Sequence, residues 1–246
     1  MRFNQLSQGL LALVFISVFS FITSCSDEEG TEPKNEEPEV IDIPRDGLVA
    51  FYPMNGNMND ESGVGDSANG GFYGTPKPAE LTADRYGNLN SAYKIETTNN
   101  LNTFQGTSDK FTYVGDVSYG IWLKSLTSGT ILRNNFELRI WYDKESSMFL
   151  ADNHTSYESD DLKISISNPG DWHFLSITWD NSNGILKFYL DGELVGQNNG
   201  NTSSYKNGGP NIGEDGFSGA LDDFTIYKKA LTDSEVKELY QQTFTK

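Results

Sequence analysis

The 246-residue chain has one cysteine, Cys25, and two histidines, His154 and His173. A single cysteine excludes internal disulfides and every zinc site built on paired thiolates. Basic residues are also scarce: 18 Lys/Arg stand against 35 Asp/Glu, a formal charge of −17. A chain this acidic lacks the Lys/Arg patches that neutralise phosphates, which argues against a nucleic-acid partner. No apolar run reaches the ~20 residues of a membrane-spanning helix. No glycine-rich phosphate loop and no Ser-His-Asp spacing stands out, so the common signatures of nucleotide and nucleophilic chemistry are missing.

What is present begins with a targeting segment. Leu10 to Ile22 is an apolar run behind Arg2, of a length that suits a signal-peptide core. It ends in Ile22-Thr23-Ser24-Cys25, which resembles a bacterial lipobox. That resemblance implies cleavage before Cys25 and lipid on its sulfur and new amino group. The plainer alternative is an ordinary signal with an incidental cysteine. Ser26-Asp27-Glu28-Glu29-Gly30 is similar to the acidic export signal of Bacteroidota-type surface lipoproteins, or is a solvated linker. Residues 26–46 carry nine Asp/Glu, two Lys/Arg and three prolines, the composition of a disordered tether. The expected organisation is therefore a signal peptide over 1–24, a lipidated Cys25 with an acidic tether to 46, and one domain over 47–246. The lipid would anchor the protein to an outer membrane, with the domain at the cell surface.

Residues 47–246 are rich in turn residues and aromatics, which suits many short strands. The spacing predicts strands at Leu48–Tyr52, Ala92–Ile95, Val117–Lys124, Thr130–Arg133, Phe136–Tyr142, Ser147–Ala151, Leu162–Ser167, His173–Trp179, Ile185–Leu190 and Ala220–Tyr227. Asp191-Gly192 between apolar runs is a hairpin signal. A helix is expected only at the C-terminal end. Thr232 caps it, Glu235 completes a capping box, and Val236, Leu239 and Tyr240 form its apolar stripe. Many strands and one terminal helix predict an all-β antiparallel β-sandwich.

Three segments carry a resemblance. They are Gly47–Asp60; Asp171–Asp180 with Leu186–Gly192; and Phe217–Tyr227 with Ala230–Thr232 and Glu235–Tyr240. Asp84-Arg85-Tyr86-Gly87-Asn88 and Ser91-Ala92-Tyr93 fit with them. Together they resemble a laminin-G-like domain of the concanavalin A-like lectin/glucanase superfamily, which implies a jelly roll. That fold hosts lectins, enzymes and plain spacers, so function must be argued from a site.

In FSGALDDFTIYK (217–228), strict alternation puts Ala220, Asp222, Phe224 and Ile226 on one face and Asp223 on the other. The first face is the more apolar, so Asp222 is expected to point inward, where a carboxylate needs a partner. The resemblance implies structural calcium as that partner. Its expected ligands are Asn59 and Asp60 from the loop after the first strand, and Asp222 and Asp223 from the last. Backbone N–H donors to Asp222 are the alternative. For carbohydrate, Glu137, Arg139 and Trp141 share the polar face of one strand, and Asn134, Tyr157 and His154 lie on adjoining loops. An indole covers the apolar face of a pyranose while charged and amide groups bond its hydroxyls. For catalysis, the paired-carboxylate strand of glycosidases, with its acids about 5–5.5 Å apart, is missing. These readings point to a non-catalytic binder of polysaccharide or glycoconjugate. A protein-binding adhesion module is the alternative, and a polysaccharide-cleaving enzyme the third.

Overall fold

A computed structural model describes residues 43–73, 79–96, 103–105, 109–134, 138–153, 161–199, 202–204 and 207–244. All of them lie in one unit, Val40–Lys246. Among them, fifteen strands and one α-helix follow in order: β1 Leu48–Tyr52, β2 Phe72–Tyr73, β3 Glu80–Thr82, β4 Ala92–Ile95, β5 Thr103–Gln105, β6 Val117–Thr127, β7 Gly129–Asn134, β8 Leu138–Asp143, β9 Met148–Asn153, β10 Leu162–Ser165, β11 His173–Asp180, β12 Ile185–Leu190, β13 Glu193–Asn199, β14 Asn211–Glu214, β15 Ser218–Tyr227 and α1 Asp233–Phe244.

The strands form two antiparallel sheets. The first runs β13-β12-β11-β6-β15-β4-β3, with β1 also paired to β15; the second runs β10-β9-β8-β7-β14-β5-β2. Alternating apolar residues from both sheets meet between them. Ile121, Leu123, Ile177 and Phe188 of the first sheet share one cluster with Leu138, Ile140, Phe149 and Ile164 of the second. This is the expected all-β sandwich, closed by one C-terminal helix.

The helix covers the outer face of the first sheet. Val236 and Leu239 are buried with Trp122, Phe174 and Tyr189, and Tyr240 packs against them. The approach is close: a Cβ on Gly120 would stand 2.9 Å from the Phe174 ring and 3.0 Å from Leu239. The capping box forms as expected. Thr232 N–H donates to Glu235 at 2.8 Å, and Glu235 N–H donates to the Thr232 hydroxyl at 3.3 Å. At the β12–β13 hairpin both central residues are left-handed, Asp191 at φ 50° and Gly192 at 80°.

The folded unit starts before residue 47. Ile43, expected in the tether, is 1% exposed and sits in the cluster under α1. The Tyr227 hydroxyl donates to the Pro44 carbonyl at 3.0 Å, and Lys229 pairs with Asp46 at 2.5 Å. One buried apolar residue and these two polar contacts together dock the charged stretch. The lipobox, Cys25 and most of the tether lie outside the described residues.

Candidate functional site

The aspartates of β15 have a partner, and it is Arg85. One guanidinium nitrogen meets Asp222 at 2.5 Å and another meets Asp223 at 2.7 Å, with all three side chains at most 3% exposed. The ring centroids of Trp122 and Tyr86 lie 4.5 and 4.6 Å from the guanidinium carbon. Asp222 also accepts the backbone N–H of Asp223 at 2.9 Å.

Strict alternation therefore fails here, for a structural reason. Asp223 has φ 42°, and the register against β6 slips between Asp222 and Thr225. This is a bulge, one extra residue in the strand. Before it, Leu221 faces the core; after it, Phe224 and Ile226 do. Both carboxylates turn to the same arginine instead of opposite faces. The bulge falls where the edge partner of β15 changes, from β4 at Gly219–Leu221 to β1 at Phe224–Tyr227.

Asp60 is held elsewhere. One oxygen accepts from Phe51 N–H at 3.2 Å and Ser62 N–H at 3.0 Å; the other accepts from Ala68 N–H at 3.2 Å and Lys110 Nζ at 2.5 Å. Burial pushes this carboxyl up, but the bonds from Lys110, Ser62 and Phe51 outweigh it and hold it below the usual carboxylate range. Asn59 is exposed. The expected calcium set, Asn59, Asp60, Asp222 and Asp223, does not fit the ion. Its carboxylates are split between an ammonium and a guanidinium, which stand where a cation would. Among the described residues no three His, Cys, Asp or Glu gather as a metal site.

The carbohydrate candidates divide. Leu138, Ile140 and Tyr142 of β8 face the core, so Arg139 and Trp141 stand on the outer face of the second sheet. Arg139 pairs with Asp152 of β9 at 2.7 Å, and its guanidinium carbon lies 4.0 Å from the Trp141 ring centroid. One row across the sheet runs Asp152, Arg139, Arg133, Asn211. The next runs Lys163, Leu150, Trp141, Thr130. Arg133 pairs with Glu214 at 2.6 Å. The result is a polar face with one indole, already stacked on one side by an arginine.

Asn134 does not belong to this face. It is fully buried, its amide donating to Tyr119 and Asn207 at 3.0 Å each and accepting Leu138 N–H at 2.8 Å. It ties the two sheets together across the core. Glu137, Tyr157 and His154 lie outside the described residues. Asp152 was missed in the sequence, because its partner Arg139 is 13 positions away on the neighbouring strand. His173 is also paired: Nδ1 lies 3.0 Å from Asp191 and Nε2 3.1 Å from the Asn168 carbonyl.

A cavity of about 410 Å³ opens beside β1, lined by Leu48, Val49, Val64, Asp66, Lys110 and Lys228. Its cations are committed. Lys110 is bound to Asp60 and to the Val64 carbonyl, and Lys228 lies over the Tyr113 ring.

The laminin-G-type profile of the concanavalin A-like lectin/glucanases superfamily matches residues 95–237, more than half of the chain, and the chain belongs to that family. No curated protein matches it in sequence. Solved structures of the same fold include the binding domain of botulinum neurotoxin DC in complex with rat synaptotagmin II, with a TM-score of 0.61 and 15% identity. A second is the same toxin's binding domain in complex with SialylT, at 0.62 and 16%. The binding domain of Paraclostridial Mosquitocidal Protein 1 gives 0.62 and 17%. These matches cover 81–82% of this chain and 52–53% of theirs, so the chain spans about half the length of each.

Proposed function

We propose that the domain is a non-catalytic carbohydrate-binding module on a lipid-anchored surface protein, and that its glycan sits on the outer face of the second sheet. The observation that carries this is the Arg139–Trp141 pair, half-buried on the outer face of the second sheet with Leu150 and Thr130 as the indole's cross-strand neighbours. An aromatic surface with hydrogen-bonding groups beside it suits a sugar, which has apolar C–H faces ringed by hydroxyls. The neighbouring folds are in keeping with it. They are binding domains, and cell entry of botulinum neurotoxin type C depends on interaction with two ganglioside molecules.

Glycan-array and affinity-gel measurements on the purified protein test the reading. Retention by at least one polysaccharide is expected, and Trp141→Ala should abolish it without changing the thermal melt. No retention on a broad panel, or full retention by the variant, would sink it. A protein partner is the second reading, favoured by the synaptotagmin complex of the neurotoxin domain. A glycan-independent pull-down of one envelope protein would support that reading instead. The lipid anchor has its own test: Cys25→Ser should release the protein from membranes.

A further inference from the structure

We propose that this face takes an uncharged glycan through its hydroxyls and rejects acidic ones; this rests on the carbohydrate reading above. The first reason is that its arginines are committed. Arg139 is bound to Asp152 at 2.7 Å and Arg133 to Glu214 at 2.6 Å. A sugar carboxylate or sulfate that took over the Arg139 bond to Asp152 would displace that carboxylate, and one that used the other guanidinium N–H groups would stand beside the Asp152 charge. The Asp152 side chain is 6% exposed, so water does not replace the partner it would lose. Stranding a buried carboxylate is strongly unfavourable.

The second reason is hydrogen-bonding type. Asp152 Oδ1 and Arg139 Nε have no hydrogen-bond partner among the described residues. One is an acceptor and the other a donor. Both atoms are buried, so the proposed binding includes a small shift of the Arg139 side chain, which is 33% exposed, that opens them to the ligand. A hydroxyl both donates and accepts, and can serve the two directly or through one bound water. A carboxylate or sulfate is an acceptor only, and would face Asp152 with like charge.

The third reason is the field. Residues 47–246 carry 15 Lys/Arg and 26 Asp/Glu, a net charge of −11. Such a domain repels polyanions at a distance. Lys163, the other described cation of the face, stands exposed on the edge strand β10, two strands from Trp141.

Affinity electrophoresis of the purified protein separates the outcomes. The gels contain neutral polymers (mannan, xylan, β-glucan) or acidic ones (polygalacturonate, alginate, chondroitin sulfate). Retardation by a neutral polymer is expected, and none by an acidic one. That retardation should be unchanged between about 50 and about 500 mM NaCl, because no charge pairing is involved. Asp152→Ala should weaken it about tenfold, the loss of a hydrogen bond to a charged group. The salt series on the unaltered protein decides the matter if the variant does not fold. Retention by acidic polymers that fades with salt would overturn the inference and leave the carbohydrate reading standing. A folded Asp152→Ala variant with full retention would also overturn it. No retention by any polymer would overturn both.

Discussion

Two aspartates share one arginine inside β15, and the geometry makes each dependent on the others. Removing Arg85 takes the guanidinium from between two carboxylates that are at most 1% exposed. Arg85→Ala should therefore cost ~3–5 kcal/mol, read as a lower urea midpoint, and added calcium should not restore it. Asp222 is buried as expected but not on the expected face: Phe224 and Ile226 reach the core only beyond the bulge, while Asp222 pairs across the sheet with Trp122 on the side under α1. Its partner was not legible, because Arg85 lies 137 positions away. The bulge was hidden as well: aspartate tolerates a left-handed backbone, so nothing in LDDF marks it. At His173 the consequence is pH dependence. The bond to Asp191 raises the imidazole pKa; burial opposes it, and Asp191 charge with the Asn168 carbonyl adds to the rise. A raised folded pKa gives stability that is fully present below the unfolded value of ~6.5 and is lost as pH rises through the folded one. Melting temperature should fall across that window above pH ~6.5, and His173→Ala should flatten the fall.

Elements with strong local signals were legible in full. The Asp191-Gly192 turn, the strands Leu48–Tyr52, Ala92–Ile95 and Ile185–Leu190, and the capping box of α1 all lie where the sequence puts them. Thr232→Ala should remove ~1 kcal/mol, a melt about 2–4 °C lower for a domain of this size. The strands Phe72–Tyr73, Glu80–Thr82, Thr103–Gln105 and Asn211–Glu214 were not foreseen. Each has two to four residues, too few for alternation to register; Glu80–Thr82 is held by the next strand, Ala92–Ile95, and the other three by distant strands. The candidate face was half legible for a related reason. Alternation along β8 revealed that Arg139 and Trp141 share a side, but pairing with β9 and β7 decides which groups stand next to them. Asn134 shows the limit, since a polar residue at a strand end reads as surface until the facing sheet covers it.

For the molecule as a whole, docking of the segment before β1 extends the core beyond its apparent boundary. Ile43→Ala should cost ~2–5 kcal/mol, measurable by chemical denaturation, as for other buried aliphatics. The place of β15 in the chain also sets when the fold can form. It is the last strand among the described residues, yet it pairs with β6 on one side and with β4 and β1 on the other. A ribosome delivers it after the fourteen other described strands. The first sheet therefore has no centre, and Arg85 lacks both aspartates, until Ser218–Tyr227 has emerged. Nascent chains halted before Ser218 should remain protease-sensitive along their length, and protection should arrive in one step when β15 and α1 emerge.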